Sequence, residues 1–138
     1  MRKATLFVVV GLMVAVLALA ACGGGGGGAS QPAASGGGAG DAAAGKALFA
    51  QTVIGSNPGC VTCHSLEAGK TLVGPSMAGI AGRAGSAVSG QSAEQYLRQS
   101  LAEPEAFVVK GFQKGLMPKP TLSDKQANDL IAYLQTLK

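Results

Sequence analysis

A chain of 138 residues and 13.5 kDa has the length for one compact domain, and for less if part of it stays unfolded. Eleven basic residues against seven acidic give a formal net charge of +4, yet no basic block or basic–aromatic alternation appears, so nothing here is built to bind nucleic acid. The positive mean hydropathy of +0.30 comes largely from one apolar run, Ala4 to Ala21, which excludes a polytopic membrane fold.

That run opens the chain. Arg2-Lys3, the apolar stretch to Leu19, and then Ala20-Ala21-Cys22 reproduce the basic, hydrophobic and small-residue regions of an export signal over residues 1–21. If Arg2 and Lys3 leave with it, nine basic residues face seven acidic and the net charge falls to +2. The residues Leu19-Ala20-Ala21-Cys22 resemble the bacterial lipoprotein signal, in which the cysteine thiol receives a diacylglyceryl group and the chain is cut at the bond on the cysteine's N-terminal side. Retention of residues 4–21 as a membrane helix is the alternative, and either way the chain is tethered to a membrane on its outer, extracytoplasmic face. Residues 22–44 follow as a lipidated Cys22 and a Gly/Ala-rich segment. Ten Gly and seven Ala among residues 23–44 cannot form a core, so the segment is expected to be a disordered tether. As a Gly-rich coil it spans roughly 25 Å on average and roughly 75 Å when stretched.

The foldable domain is then residues 45–138. It has no Trp, and its aromatic residues are Phe49, Tyr96, Phe107, Phe112 and Tyr133. So thin a core calls for a non-peptidic group to supplement it. Cys60-Val61-Thr62-Cys63-His64 supplies the means, because it is the attachment pattern of a c-type haem. Two thiols three residues apart on a helical turn can add to the two vinyl groups of one porphyrin, and the next residue places an imidazole under the iron. A thioredoxin-like Cys60–Cys63 disulfide would want a βαβ pattern around it, and a zinc site would want a second ligand pair; neither is present.

The sixth iron ligand must come from elsewhere, since His64 is the single histidine. Outside the export signal the methionines are Met77 and Met117. Met117 lies 53 residues beyond His64, far enough to reach the opposite haem face, in the turn-like Gly115-Leu116-Met117-Pro118. Met77 follows His64 by only 13 residues and is expected in the core. His/Met ligation raises the reduction potential. Further along, Ser92-Ala93-Glu94-Gln95 is a capping box whose helix should end before Pro104. A second box, Ser123-Asp124-Lys125-Gln126, opens the last helix, where Leu122 and Ala127 are placed as a staple and Ala127, Leu130, Ile131, Leu134 and Lys138 share a face. Gly79, Gly82 and Gly85 suggest turns, and no segment alternates as a strand.

The ordered pieces Gly45-Lys46-Ala47-Leu48-Phe49, Cys60 to His64, Gly74-Pro75, Gly115 to Pro118 and Leu130 to Leu134 resemble the monohaem class I cytochromes c across residues 45–138. The resemblance implies an all-α fold of four to five helices around one covalently bound haem c. It implies that the first and last helices cross at Gly45 beside Phe49 and Tyr133, and that the Pro75 carbonyl accepts the second imidazole N–H of His64. The family's tryptophan near a haem propionate has no counterpart. The layout of lipoprotein cysteine, tether and one haem domain is similar to monohaem subunits of respiratory or photosynthetic complexes, including alternative complex III.

The expected function is one-electron transfer between redox protein donors and acceptors, with a quinol-oxidising membrane complex among the expected partners. Lys110, Lys114 and Lys119 flank Met117 and would steer acidic partners. A permanently docked subunit shares this chemistry. A haem peroxidase or gas sensor is the competing reading; it needs an open sixth position, with Arg83 or Arg98 as its only distal candidates.

Overall fold

The computed structural model describes residues 40–138. The export signal, Cys22 and the tether up to residue 39 lie outside the described residues. Among those described, no helix is long and apolar enough to cross a membrane.

Folding begins earlier than the composition suggested. Helix α1 runs Ala42–Phe49, and the Asp41 carboxylate caps it by accepting the N–H groups of Ala43 and Ala44 at 2.8 and 3.2 Å. Residues 41–44 are therefore domain and not tether: alanine is the strongest helix former, and one aspartate suffices to start it. A short antiparallel hairpin follows, β1 (Val53–Ile54) and β2 (Asn57–Pro58), turning at Gly55 with φ +61°. Strands of two residues leave no alternation to read. Helix α2 is the single turn Cys60–Cys63.

Helix α3, Ile80–Ala87, corrects a second expectation, for Gly82 and Gly85 lie within it and only Gly79, at φ +70°, is a turn. Tertiary packing overrides the glycines' poor propensity. Ala84 is wholly buried, and a Cβ at Gly85 would stand 3.8 Å from Ala93 at the start of the next helix, ordinary contact distance. Helix α4, Ala93–Ala102, and helix α5, Asp124–Leu134, each open on a complete capping box, Ser92 with Gln95 and Ser123 with Gln126. Helix α4 stops short of Pro104 as anticipated. Helix α5 stops at Leu134, so Lys138 lies beyond it and is exposed.

Helix α1 crosses α5 at Gly45, where the glycine's Cα faces the carbonyl of Asp129 and the Cβ of Tyr133. Phe49 and Tyr133 meet beside the crossing, ring centroids 5.7 Å apart and tilted by 59°. Leu48, Ile54, Ile80, Leu97, Leu130, Ile131 and Leu134 complete one core.

A polar cross-brace lies at the same crossing. Asp129 is 94 % buried, accepts the Asp41 N–H at 2.8 Å and receives Lys125 Nζ at 2.6 Å. These contacts, Lys125 first, hold its carboxyl below the ordinary value of 3.8 and raise the Lys125 ammonium above 10.5, so the pair is charged throughout the neutral range. A lowered acid stabilises fully above its unfolded value and loses that contribution as pH falls through the folded one. Asp129→Asn should therefore lower the unfolding midpoint at pH 7 and converge with the wild type as pH drops below about 3.8, which urea unfolding across pH would measure.

Candidate functional site

Gly59 in an extended conformation leads into α2, and its carbonyl accepts the Thr62 hydroxyl at 2.6 Å, tightening the turn that carries both cysteines. Cys60 and Cys63 both lie on that turn and are not joined to each other by a disulfide. In the chain before haem attachment, burial pushes the Cys60 thiol above its usual value and Cys63 beside it adds to the shift.

His64 ends the turn in an extended conformation, its N–H bonded to the Cys60 carbonyl at 2.9 Å. Its Nδ1 lies 2.8 Å from the Pro75 carbonyl oxygen. A carbonyl can only accept, so the proton must sit on Nδ1, leaving the Nε2 lone pair for a metal. The loop that brings Pro75 there is tied to the motif by Gly74 N–H to the Cys63 carbonyl, 2.9 Å, and Met77 N–H to the Ser65 carbonyl, 2.8 Å. Gly74 passes so close to the imidazole that a Cβ there would stand 2.8 Å from Nδ1. The glycine is needed for backbone approach, not for turn geometry.

Cys60, Cys63, His64, Pro75 and Met117 all line one mostly apolar cleft that opens to solvent. Ile80, Leu97, Leu130 and Leu134 form buried wall, while Val73, Leu116 and Phe107 are exposed. Tyr96 and Phe107 pack edge to face with centroids 5.8 Å apart, which holds the chain leaving α4 against the cleft. Met77 also borders the cleft, but it packs against the buried core and its backbone is pinned beside His64, on the histidine's side. Met117 is half-buried in the loop between α4 and α5. The donor set fits a haem: two thiols on one turn, one imidazole with a single free lone pair, a thioether, and a cleft walled mostly by apolar side chains.

Neither arginine offered as distal machinery borders the cleft. The Arg83 guanidinium donates to the carbonyls of Ala78 and Ser76, and Arg98 pairs with Glu94 and Asn128 at 2.9 Å each. Two residues around Met117 escaped the sequence reading. Glu105 accepts the Gly115 N–H at 2.8 Å, and Asn57 donates to the Lys119 carbonyl at 3.1 Å. The partners are 10 and 62 residues apart, so no local pattern marks them.

The family model for cytochrome c matches residues 42–138. Cytochrome c2 of Rhodopseudomonas palustris is 35 % identical over 123 residues, covering 71 % of this chain and 99 % of that protein. Cytochrome c2 iso-2 of Magnetospirillum molischianum is 36 % identical over 88 residues, 57 % of this chain and 91 % of its own, and cytochrome c2 iso-1 of Magnetospirillum fulvum is 34 % identical over 94 residues with the same coverage. No solved structure gives a significant match. A match over the whole described domain, on a fold that presents Cys60, Cys63 and His64 to one apolar cleft, shows that the chain belongs to the cytochrome c family and carries electrons on one haem c bound covalently through Cys60 and Cys63.

Proposed function

We propose that this protein is a one-electron carrier held by a lipid on Cys22 to the outer face of a membrane, and that His64 and Met117 are the residues that would ligate its haem iron. The observation that carries the reading is the convergence of His64, Met117 and both cysteines on one apolar cleft, with Met77 anchored beside His64. Bound in the cleft, haem c supplies a ferric/ferrous couple at low reorganisation cost. The chain does the rest. Pro75 fixes the imidazole tautomer and strengthens His64 as a donor. The Met117 thioether would favour the ferrous state and, as a ligand, would keep substrate from the iron. Ile80, Leu97, Leu130 and Leu134 keep water from the site. Lys110, Lys114 and Lys119 are exposed near Met117 and favour brief encounters with acidic redox proteins.

The peroxidase or gas-sensor alternative draws no support, because Arg83 and Arg98 are engaged away from the cleft. A fixed place in a quinol-oxidising or photosynthetic complex would use the same site with a longer-lived partner.

Three measurements on detergent-extracted protein test this. The intact mass should correspond to a chain beginning at Cys22 with a diacylglyceryl adduct; a chain retaining residues 1–21 would overturn the lipid anchor. The reduced protein should ignore carbon monoxide, and ready binding would overturn the closed site. A stable stoichiometric complex in the same extract would replace the free carrier with a fixed subunit.

A further inference from the structure

Met117 sits in residues 103–123, which contain neither helix nor strand. A ligand on such a segment is only as well placed as the contacts that fix its backbone. Two side chains from outside the immediate turn do so, one on each side. Glu105 Oε1 accepts the N–H of Gly115, two residues before Met117, and Asn57 Nδ2 donates to the carbonyl of Lys119, two residues after it. Gly115 is at φ +81°, and Pro118 and Pro120 restrict the other flank. Asn57 lies in β2, and the hairpin touches the same segment at a second point, since a Cβ at Gly55 would stand 3.4 Å from Thr121 Cβ. The hairpin gives the core only Ile54, and Val53 opposite is 61 % exposed. Core packing alone does not account for it.

We propose that Asn57 and Glu105 are positioning residues that clamp the 115–119 segment from two sides and so hold Met117 at the iron. The proposal rests on Met117 being the sixth ligand. A thioether is a neutral, weak donor, so a competing ligand enters whenever the segment lifts. The apparent affinity of that competitor is its intrinsic affinity multiplied by the open fraction. Exposed hydrogen bonds contribute at the low end of the usual range, so losing either one should raise the open fraction about threefold, and losing both about tenfold.

Imidazole titrated into the ferric, haem-loaded full-length protein reads the open fraction through loss of the long-wavelength methionine–iron charge-transfer band. Asn57→Ala and Glu105→Ala should each bind imidazole about threefold more tightly than wild type, and the double variant about tenfold. Glu105→Gln keeps an oxygen to accept the Gly115 N–H and should stay near wild type. A purely structural role would instead lower the urea midpoint and leave imidazole affinity unchanged. Should the double variant fail to load haem, the single variants decide. Wild-type imidazole affinity in both alanine variants overturns the clamp, as does a Glu105→Gln variant no better than Glu105→Ala. The underlying ligand assignment fails separately, if the band is absent from the wild type or survives in Met117→Ala.

Discussion

Met117→Ala should convert a closed iron into one that binds carbon monoxide when reduced, abolish the methionine–iron charge-transfer band, and lower the reduction potential by a few tenths of a volt, within the roughly 0.8 V span that axial ligands set. The sign follows from ligand softness. A thioether stabilises ferrous iron, and the water or hydroxide that replaces it favours ferric. The fold should survive, because Met117 is half-buried on a loop and outside the buried core. Met77→Leu supplies the contrast: Met77 packs against the core, so a swap of similar volume should cost less than about 1.5 kcal/mol and leave band and potential unchanged. Redox titration with spectra of both variants checks the pair. A potential that follows Met77 rather than Met117 would exchange their roles.

How much of this was legible in the sequence depended on how local each feature is. The two capping boxes are local, and both form as read. The Cys60 to His64 turn is local too. The crossing at Gly45 and the Pro75 carbonyl at His64 are contacts between distant segments, and only the family resemblance pointed to them. Asp41 carried an N-cap signal, but the surrounding glycines and alanines read as tether and masked it. Gly82 and Gly85 read as turn residues because propensity cannot see Ala84 being buried or Ala93 closing over the helix. Asp129 falls among polar positions of an amphipathic helix, and nothing in its spacing reveals that the start of α1, 88 residues earlier, covers it. Asn57 and Glu105 share that limitation: their partners are backbone groups, which no side-chain pattern records.

Gly45 is where stability should be most sensitive to one atom. In an open helix interior, glycine to alanine gains about 1 kcal/mol of propensity. Gly82 in α3 tests that baseline, since a Cβ there meets nothing within 4 Å; Gly82→Ala should raise stability by about 0.5–1 kcal/mol. At Gly45 the same methyl would collide with the Asp129 carbonyl and stand 2.9 Å from Tyr133 Cβ. Neither obstacle is the flexible end of a side chain. Relief requires α1 and α5 to move apart, which separates Phe49 from Tyr133 and pulls Asp41 from the Asp129 carboxylate. Overpacking of this kind costs about 1–3 kcal/mol or more, so the clash outweighs the propensity gain. Gly45→Ala should lower stability by about 2 kcal/mol, a fall in Tm of about 8–16 °C for a domain of this size, and Gly45→Val by more. Thermal unfolding of the haem-loaded variants beside Gly82→Ala measures both signs in one fold. A Gly45→Ala protein as stable as Gly82→Ala would mean that the helices do not cross on this glycine. The same crossing sets Leu130 and Leu134 into the wall of the cleft, so a variant that loosens it should also bind imidazole more readily at the iron.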